Sequence, residues 1–188
     1  MMNNNNIFFI GEDEIKKQTS LMNDIENQYI RLHILEAQNI ELQPIICEKY
    51  YEYFVKQLTS YYDCIDSGGT CDISSYLNDD DLNLMNNYIQ PYLIYATLYH
   101  SSYDLFLKIT NRGVGTIDNN EGRKNDDLEY YKTMRADWKN KMMHYMNSMI
   151  KFLNNNIDKY IIYKECVIDD CDIDDKNTNF GLYLGKEI

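Results

Sequence analysis

The feature that most constrains this chain is the run 80–109. There Leu82, Met85, Tyr88, Ile89, Tyr92, Leu93, Tyr95, Ala96, Leu98 and Tyr99 recur at helical spacing with few charges between them. Apolar residues stepping by three and four put a wide stripe along a helix, and a helix this apolar belongs at the centre of a domain. Pro91 lies inside the run and removes a backbone donor, so it is expected to kink the helix or divide it in two. Asn78-Asp79-Asp80-Asp81 stands at its start. Short side chains there accept from the free amides of a first turn, and their charge opposes the helix dipole.

Other helices must cover that centre. Residues 21–42 carry Leu21, Ile25, Leu32, Leu35 and Ile40 at roughly helical spacing, joined by Tyr29 and Ala37. Pro44 then interrupts, and proline is accepted in a first turn, so residues 45–60 read as a second helix with Ile45, Ile46, Tyr50, Tyr53, Phe54 and Leu58 on its apolar side. Residues 127–155 give the longest periodic stretch. Leu128, Tyr131, Trp138, Met142, Tyr145, Met149 and Phe152 form one seam, interrupted by Arg135 and suited to antiparallel packing. With only 8 Gly and 2 Pro, a turn-rich β fold is disfavoured. The segments 61–78, with Ser67-Gly68-Gly69-Thr70, and 110–126 read as connecting loops.

The expected fold is therefore all-α: an antiparallel bundle of about four to five helices with extended arms at both ends. An N-terminal arm over 1–20, a body over 21–156 and a C-terminal arm over 157–188 follow from the change of pattern. Within the last arm, Tyr160-Ile161-Ile162-Tyr163 suits a short strand, and Asp169 to Asp175 is an acidic stretch. Phe180, Leu182, Tyr183 and Leu184 form an apolar end after a polar linker, which is expected to dock on a neighbouring subunit or another protein.

Charge and cysteine content narrow the function. A net charge of −12 is the opposite of a basic nucleic-acid footprint. No apolar run approaches the roughly 20 residues of a membrane span. The start of the chain lacks the cationic and apolar regions of a signal peptide, so the protein is expected to stay in the cytoplasm where it is made. Five cysteines, Cys47, Cys64, Cys71, Cys166 and Cys171, make an odd count without a secretion signal, and so are expected as reduced thiols. Their spacings do not match zinc patterns.

No catalytic constellation emerges. Gly113-Val114-Gly115 lacks the Gly-Lys-Ser/Thr ending of a phosphate loop and reads as a turn. Asp170-x-Asp172-x-Asp174 begins like a calcium loop but has Asp175 and Gly181 where glycine and glutamate are needed. His33, His100 and His144 lie on helices with no paired metal-ligand spacing, and neither Cys47 nor Cys64 has a histidine partner by sequence. The Met142–Met149 stretch reads as packing. The chain is expected to carry no catalytic residue, cofactor or metal, and not to be an enzyme.

Three ordered segments resemble a known family. They are Glu36-Ala37-Gln38-Asn39-Ile40-Glu41-Leu42-Gln43-Pro44-Ile45-Ile46, then Tyr88-Ile89-Gln90-Pro91-Tyr92-Leu93-Ile94-Tyr95-Ala96, then Lys108-Ile109-Thr110-Asn111-Arg112-Gly113-Val114. Together, over roughly 12–155, the chain resembles the head-to-tail connector, or adaptor, proteins of Bacteroidetes-infecting tailed phages, including the neck ring proteins of crAss-like phages. The resemblance implies a structural virion protein, made in the host cytoplasm, that forms a homo-oligomeric, portal-matched twelvefold ring. Its implied partners are the portal protein and other neck and tail ring proteins, with DNA only as passing cargo and no membrane. An acidic lumen would fit that passage, since basic side chains are what bind phosphates. The alternative is a small helical binding or regulatory protein encoded by a phage but absent from the virion.

Overall fold

The two prolines set the course of the chain, because a proline inside a helix collides with the carbonyl four residues earlier. In the structure, a computed structural model that describes residues 7–18, 26–110, 113–116 and 124–171, both are accommodated the same way. Helix α1 is Glu12–Gln18 and helix α2 is Asn27–Glu36. A π-helical turn, Ala37–Leu42, joins α2 to α3, Gln43–Ile46. Helix α5, Asp79–Leu84, passes through a second π-helical turn, Met85–Ile89, into α6, Gln90–Phe106. The carbonyls that Pro44 and Pro91 would strike belong to Ile40 and Asn87, and both lie inside the widened turns. Insertion of a π turn shifts the register and absorbs the clash, so each proline leaves a continuous rod. The expected division at Pro91 is replaced by this bulge.

The break expected at Pro44 comes at Cys47 instead, the one described non-glycine residue with a positive φ, 68°. Helix α4, Glu48–Asp66, starts there and runs six residues beyond the expected end at 60. A 3-10 turn, Ile73–Ser75, leads to α5, where the Asn78 side chain accepts from the Asp81 amide at 2.8 Å, as its sequence position implies. After α6 comes a two-stranded antiparallel hairpin, β1 Leu107–Thr110 with β2 Gly113–Thr116, so residues 107–109, expected as the end of the helical run, are strand, and β2 lies in the expected loop. Helix α7, Lys124–Asn155, follows, then α8, Ile161–Cys171. The described residues thus form an all-helical body of six rods, with this hairpin as its one extended excursion.

Helix α6 occupies the centre. It packs against α7, α2, α1 and the first π turn, and buries Tyr92, Leu93, Ala96 and Leu98. The α7 seam is met by burial of Trp138, Met142 and Met149, with Leu153 added. Arg135, the interruption, lies over the Tyr99 ring, its Cζ 4.4 Å from the centroid, and donates to the Tyr99 hydroxyl and Ser102. On α2 the expected apolar side is turned away. Tyr29, Leu32 and Ile40 are exposed, while Ile30, His33, Ile34, Ala37 and Gln38 face inward at i, i+3, i+4, i+7 and i+8.

Both expected arms contribute to the core. Ile7, Phe9, Ile10 and Ile15 are buried from the N-terminal side, and Tyr160 and Tyr163 from the C-terminal side. The strand expected at Tyr160–Tyr163 is the start of α8, because its buried positions recur at helical steps, Tyr160, Tyr163 and Cys166.

The N-terminal strap is held through its backbone. Gln38, fully buried, accepts from the Phe9 amide at 2.8 Å and donates to the Ile7 carbonyl at 2.9 Å, as a neighbouring β-strand would. Gln90 and Tyr62 donate to the Phe9 and Phe8 carbonyls. Replacing Gln38→Leu strands two buried backbone groups. Urea unfolding is expected to show a loss of about 2–4 kcal/mol, and an unchanged midpoint would mean the strap is not so held.

Candidate functional site

Three places combine exposure with chemistry or polar burial with strain, and each is built by a particular packing. The first is a groove of about 710 Å³ between the first π turn, α3 and α4. Asn39 and Gln43 line one wall, Glu52, Lys56, Thr59 and Ser60 the other, and the Tyr51 hydroxyl donates to Asn39 Oδ1 at 2.7 Å across it. Burial pushes the Tyr51 phenol up, which suits a hydrogen-bond donor rather than a base. The lining offers amides, hydroxyls and one charge of each sign, without a second group placed for acid–base work.

The second is the end of the body from which the hairpin projects. His33 in the last turn of α2 meets Asp104 of α6, and Arg135 of α7 meets Ser102 and Tyr99, so α2, the last turns of α6 and the first half of α7 come together. Tyr29, Leu32, Tyr103 and Tyr130 are all more than half exposed there. Single exposed apolar residues are ordinary, and these four are notable because they fall on the three helices that meet here.

The third is a set of buried polar clusters. Asp81, 4% exposed, accepts from Tyr50 at 2.6 Å and Tyr53 at 2.8 Å, joining α5 to α4. Burial, and then the Asp81 charge, raises both phenols, Tyr53 up to about 12. Tyr160 is likewise pushed up to about 12 by burial and then by Asp80 and Asp81, and it donates to the Asp80 carbonyl. These phenols stay protonated and act as struts. His33, 7% exposed, lies with Nδ1 2.8 Å from Glu36 and Nε2 3.0 Å from Asp104. His100 Nε2 is 3.3 Å from Glu41 Oε1, an ion-pair distance without hydrogen-bond geometry, and the imidazole beside it holds the Glu41 carboxyl below its ordinary range. His144 is exposed on α7. Among the described residues no three His, Cys, Asp or Glu side chains gather as a metal site, and no helix is long and apolar enough to cross a membrane.

The cysteines overturn the expectation of free thiols. Cys47 pairs with Cys166, 119 residues away, and Cys64 with Cys71. The first pair is invisible in local spacing because only the docking of α8 brings its members together. The second depends on Gly69, where a Cβ would lie 3.0 Å from Cys64 Sγ and 3.1 Å from Cys71 Sγ. Phe180, Leu182, Tyr183 and Leu184, the expected docking residues, lie outside the described residues. The Asp81 struts and the Gln38 clamp escaped sequence reasoning, since a buried polar residue carries no local signal. An aspartate in a first turn also serves as a capping residue.

Comparison with known families places the chain. A family of unknown function, DUF6712, matches residues 42–171, and the protein belongs to it. That span runs from the end of the first π turn through α8 and contains the whole central helix. No curated protein and no solved structure matches the chain.

Two measurements probe these clusters. Tyr50→Phe deprives the buried Asp81 of a donor and is expected to cost about 1.5–3 kcal/mol in urea unfolding. Tyr92→Phe removes a buried hydroxyl with no partner among the described residues, so it should leave stability unchanged or higher; the reverse ranking would discount the strut. The second measurement is pH dependence. The Glu41 carboxyl is held below the ordinary carboxylate value of 4.5, so its contribution is full above that pH and is lost as pH falls through the folded value. Glu41→Gln should therefore lower stability at neutral pH and flatten the acid limb below about pH 4.5, so that the two proteins converge in acid.

Proposed function

We propose that this protein is a structural virion component, a helical adaptor whose copies form a ring in the head-to-tail connector below the portal of a tailed phage. The observation that carries this reading is the exposure of Tyr29, Leu32, Tyr103 and Tyr130 on α2, α6 and α7, the three helices joined through His33, Asp104 and Arg135. Large amphipathic side chains at the tip of a rigid body are what a subunit interface uses, since tyrosine supplies area at low entropic cost. The hairpin itself contains Lys108-Ile109-Thr110 and Gly113-Val114, two parts of the segment that resembles the neck ring proteins. The body is rigid and well filled, as a ring component must be, and the clusters within it serve packing rather than turnover.

A ring of identical subunits uses two different faces of each copy, repeated until the rotation closes. The portal and the adjoining neck and tail rings are the partners in this reading, with twelve copies matching the portal. A net charge of −12 per subunit gives the channel a surface to which DNA does not adhere. Phe180, Leu182, Tyr183 and Leu184 serve as a second docking element on a neighbouring copy or neck protein.

Electron microscopy of the purified protein mixed with the portal of the same virus is expected to show closed rings stacked on the portal. The double variant Tyr103→Glu/Tyr130→Glu should weaken that association at least about tenfold while leaving helicity intact. Absence of the protein from purified particles, together with no association with the portal, would sink the adaptor reading in favour of a regulatory one.

A further inference from the structure

We propose that the Cys47–Cys166 pair is a redox latch on α8, so that the grip on the C-terminal helix depends on the oxidation state of its surroundings. The inference stands apart from the adaptor reading and uses the body alone. The non-covalent anchors of α8 sit at its beginning. Tyr160 donates to the Asp80 carbonyl and packs on Tyr50 and Phe152, and Tyr163 is buried one turn later. Beyond Tyr163, through 168, the only buried side chain is Cys166 and Val167 is half-buried against the core, while Ile168 is 51% exposed. The covalent link thus falls where, through 168, the other anchors thin out.

Its partner is placed as a fixed post. Cys47 stands at the corner between α3 and α4 with a φ of 68°, a conformation an L-residue holds only when its surroundings enforce it. The loop closed by the bond spans 119 residues of sequence, the kind of cross-link that most restricts an unfolded or opened chain. With both thiols reduced, the last turns of α8 keep Cys166 only as a small apolar side chain and Val167 as a partly buried one. The Cys64–Cys71 pair closes a loop of sequence separation 7 near the far end of α4 and provides an internal control, because it does not touch α8.

The chemistry is ordinary thiol–disulfide exchange with a low-molecular-weight disulfide such as glutathione disulfide. The Cys166 thiolate attacks one sulfur of that disulfide, an S–S bond breaks, and one glutathione thiolate leaves and takes up a proton. The Cys47 thiolate then attacks the Cys166 sulfur of the mixed disulfide and releases the second glutathione. Two protein thiols are oxidised, and one small disulfide is reduced to two thiols. A chain made in a reducing compartment would carry α8 unlatched, and transfer to an oxidising medium would fasten it.

The test is amide hydrogen exchange on the full chain, incubated with glutathione disulfide or with dithiothreitol. Reduction is expected to speed exchange across 164–168 by about 30-fold, the lower end of what a disulfide contributes, while the centre of α6 is unchanged. Cys166→Ser and Cys47→Ser should each show the fast rate in both media, and Cys64→Ser should keep the wild-type response. Equal exchange in the oxidised and reduced wild-type protein would overturn the latch. Peptide mapping that finds Cys47 free, or joined to Cys171, after glutathione disulfide would do the same. Because the wild-type comparison needs no substitution, a variant that fails to fold does not obscure the result.

Discussion

A helix of seventeen residues with Asp104 as its only formal charge cannot lie on the surface of this protein, and the rest of the fold is arranged to cover it. Each fully buried Leu, Ile or aromatic side chain along α6 contributes about 1.5–3 kcal/mol relative to exposure, so withdrawing any covering element leaves several such groups in water. Helices α2 and α7 close two sides, and α1 a third. Among the polar residues that α6 does carry, Ser101 and Ser102 return their hydroxyl hydrogens to the carbonyls three residues earlier, and Gln90 and Asp104 reach groups on other elements. Pro91 is tolerated at the start of this helix because the π turn before it moves the opposing carbonyl away.

Covering a central helix from every side brings backbone into the interior, and that backbone needs partners. The strap at residues 7–10 is the clearest case. Its amide and carbonyl groups are met by side chains, chiefly the Gln38 amide, which substitutes for the strand that an all-helical body lacks. Asp81 performs a related task between α4 and α5, where two phenols satisfy its buried carboxyl group. Polar networks of this kind fix which helix meets which more sharply than apolar packing alone, because a misplaced partner leaves a buried group unsatisfied.

Helix α4 is the element where the remaining constraints meet. Its start adjoins the disulfide to α8, its last turn holds the short disulfide loop, and its middle provides the tyrosines for Asp81. The polar groove is lined by Tyr51, Glu52, Val55, Lys56, Thr59 and Ser60 of the same helix. The core is therefore fastened along α4.

Much of the fold was legible in the residues alone. The central helix, its Asn78 cap, the α7 seam from Trp138 to Met149 and the all-α class follow from apolar periodicity and capping chemistry, which act between residues close in sequence. The phase of α2 was not legible. Leu32 and Ile40 are as apolar as Ile30 and Ile34, and only the position of α6 decides which pair is buried. Of the candidate sites, Tyr29 was expected inside and is outside, the Gln38 clamp gave no local sign, and the strand expected at Tyr160–Tyr163 is helix. Four of the five cysteines, expected as reduced thiols, form two disulfides whose pairing rests on the docking of α8 and on the room Gly69 leaves. By itself the sequence determined most of the helical segments and which helix must be central, because those depend on neighbours three and four residues apart. The tertiary structure alone decided which faces meet, that Cys47 pairs with Cys166 and which tyrosines remain outside, because those depend on groups brought together from 29 to 119 residues away.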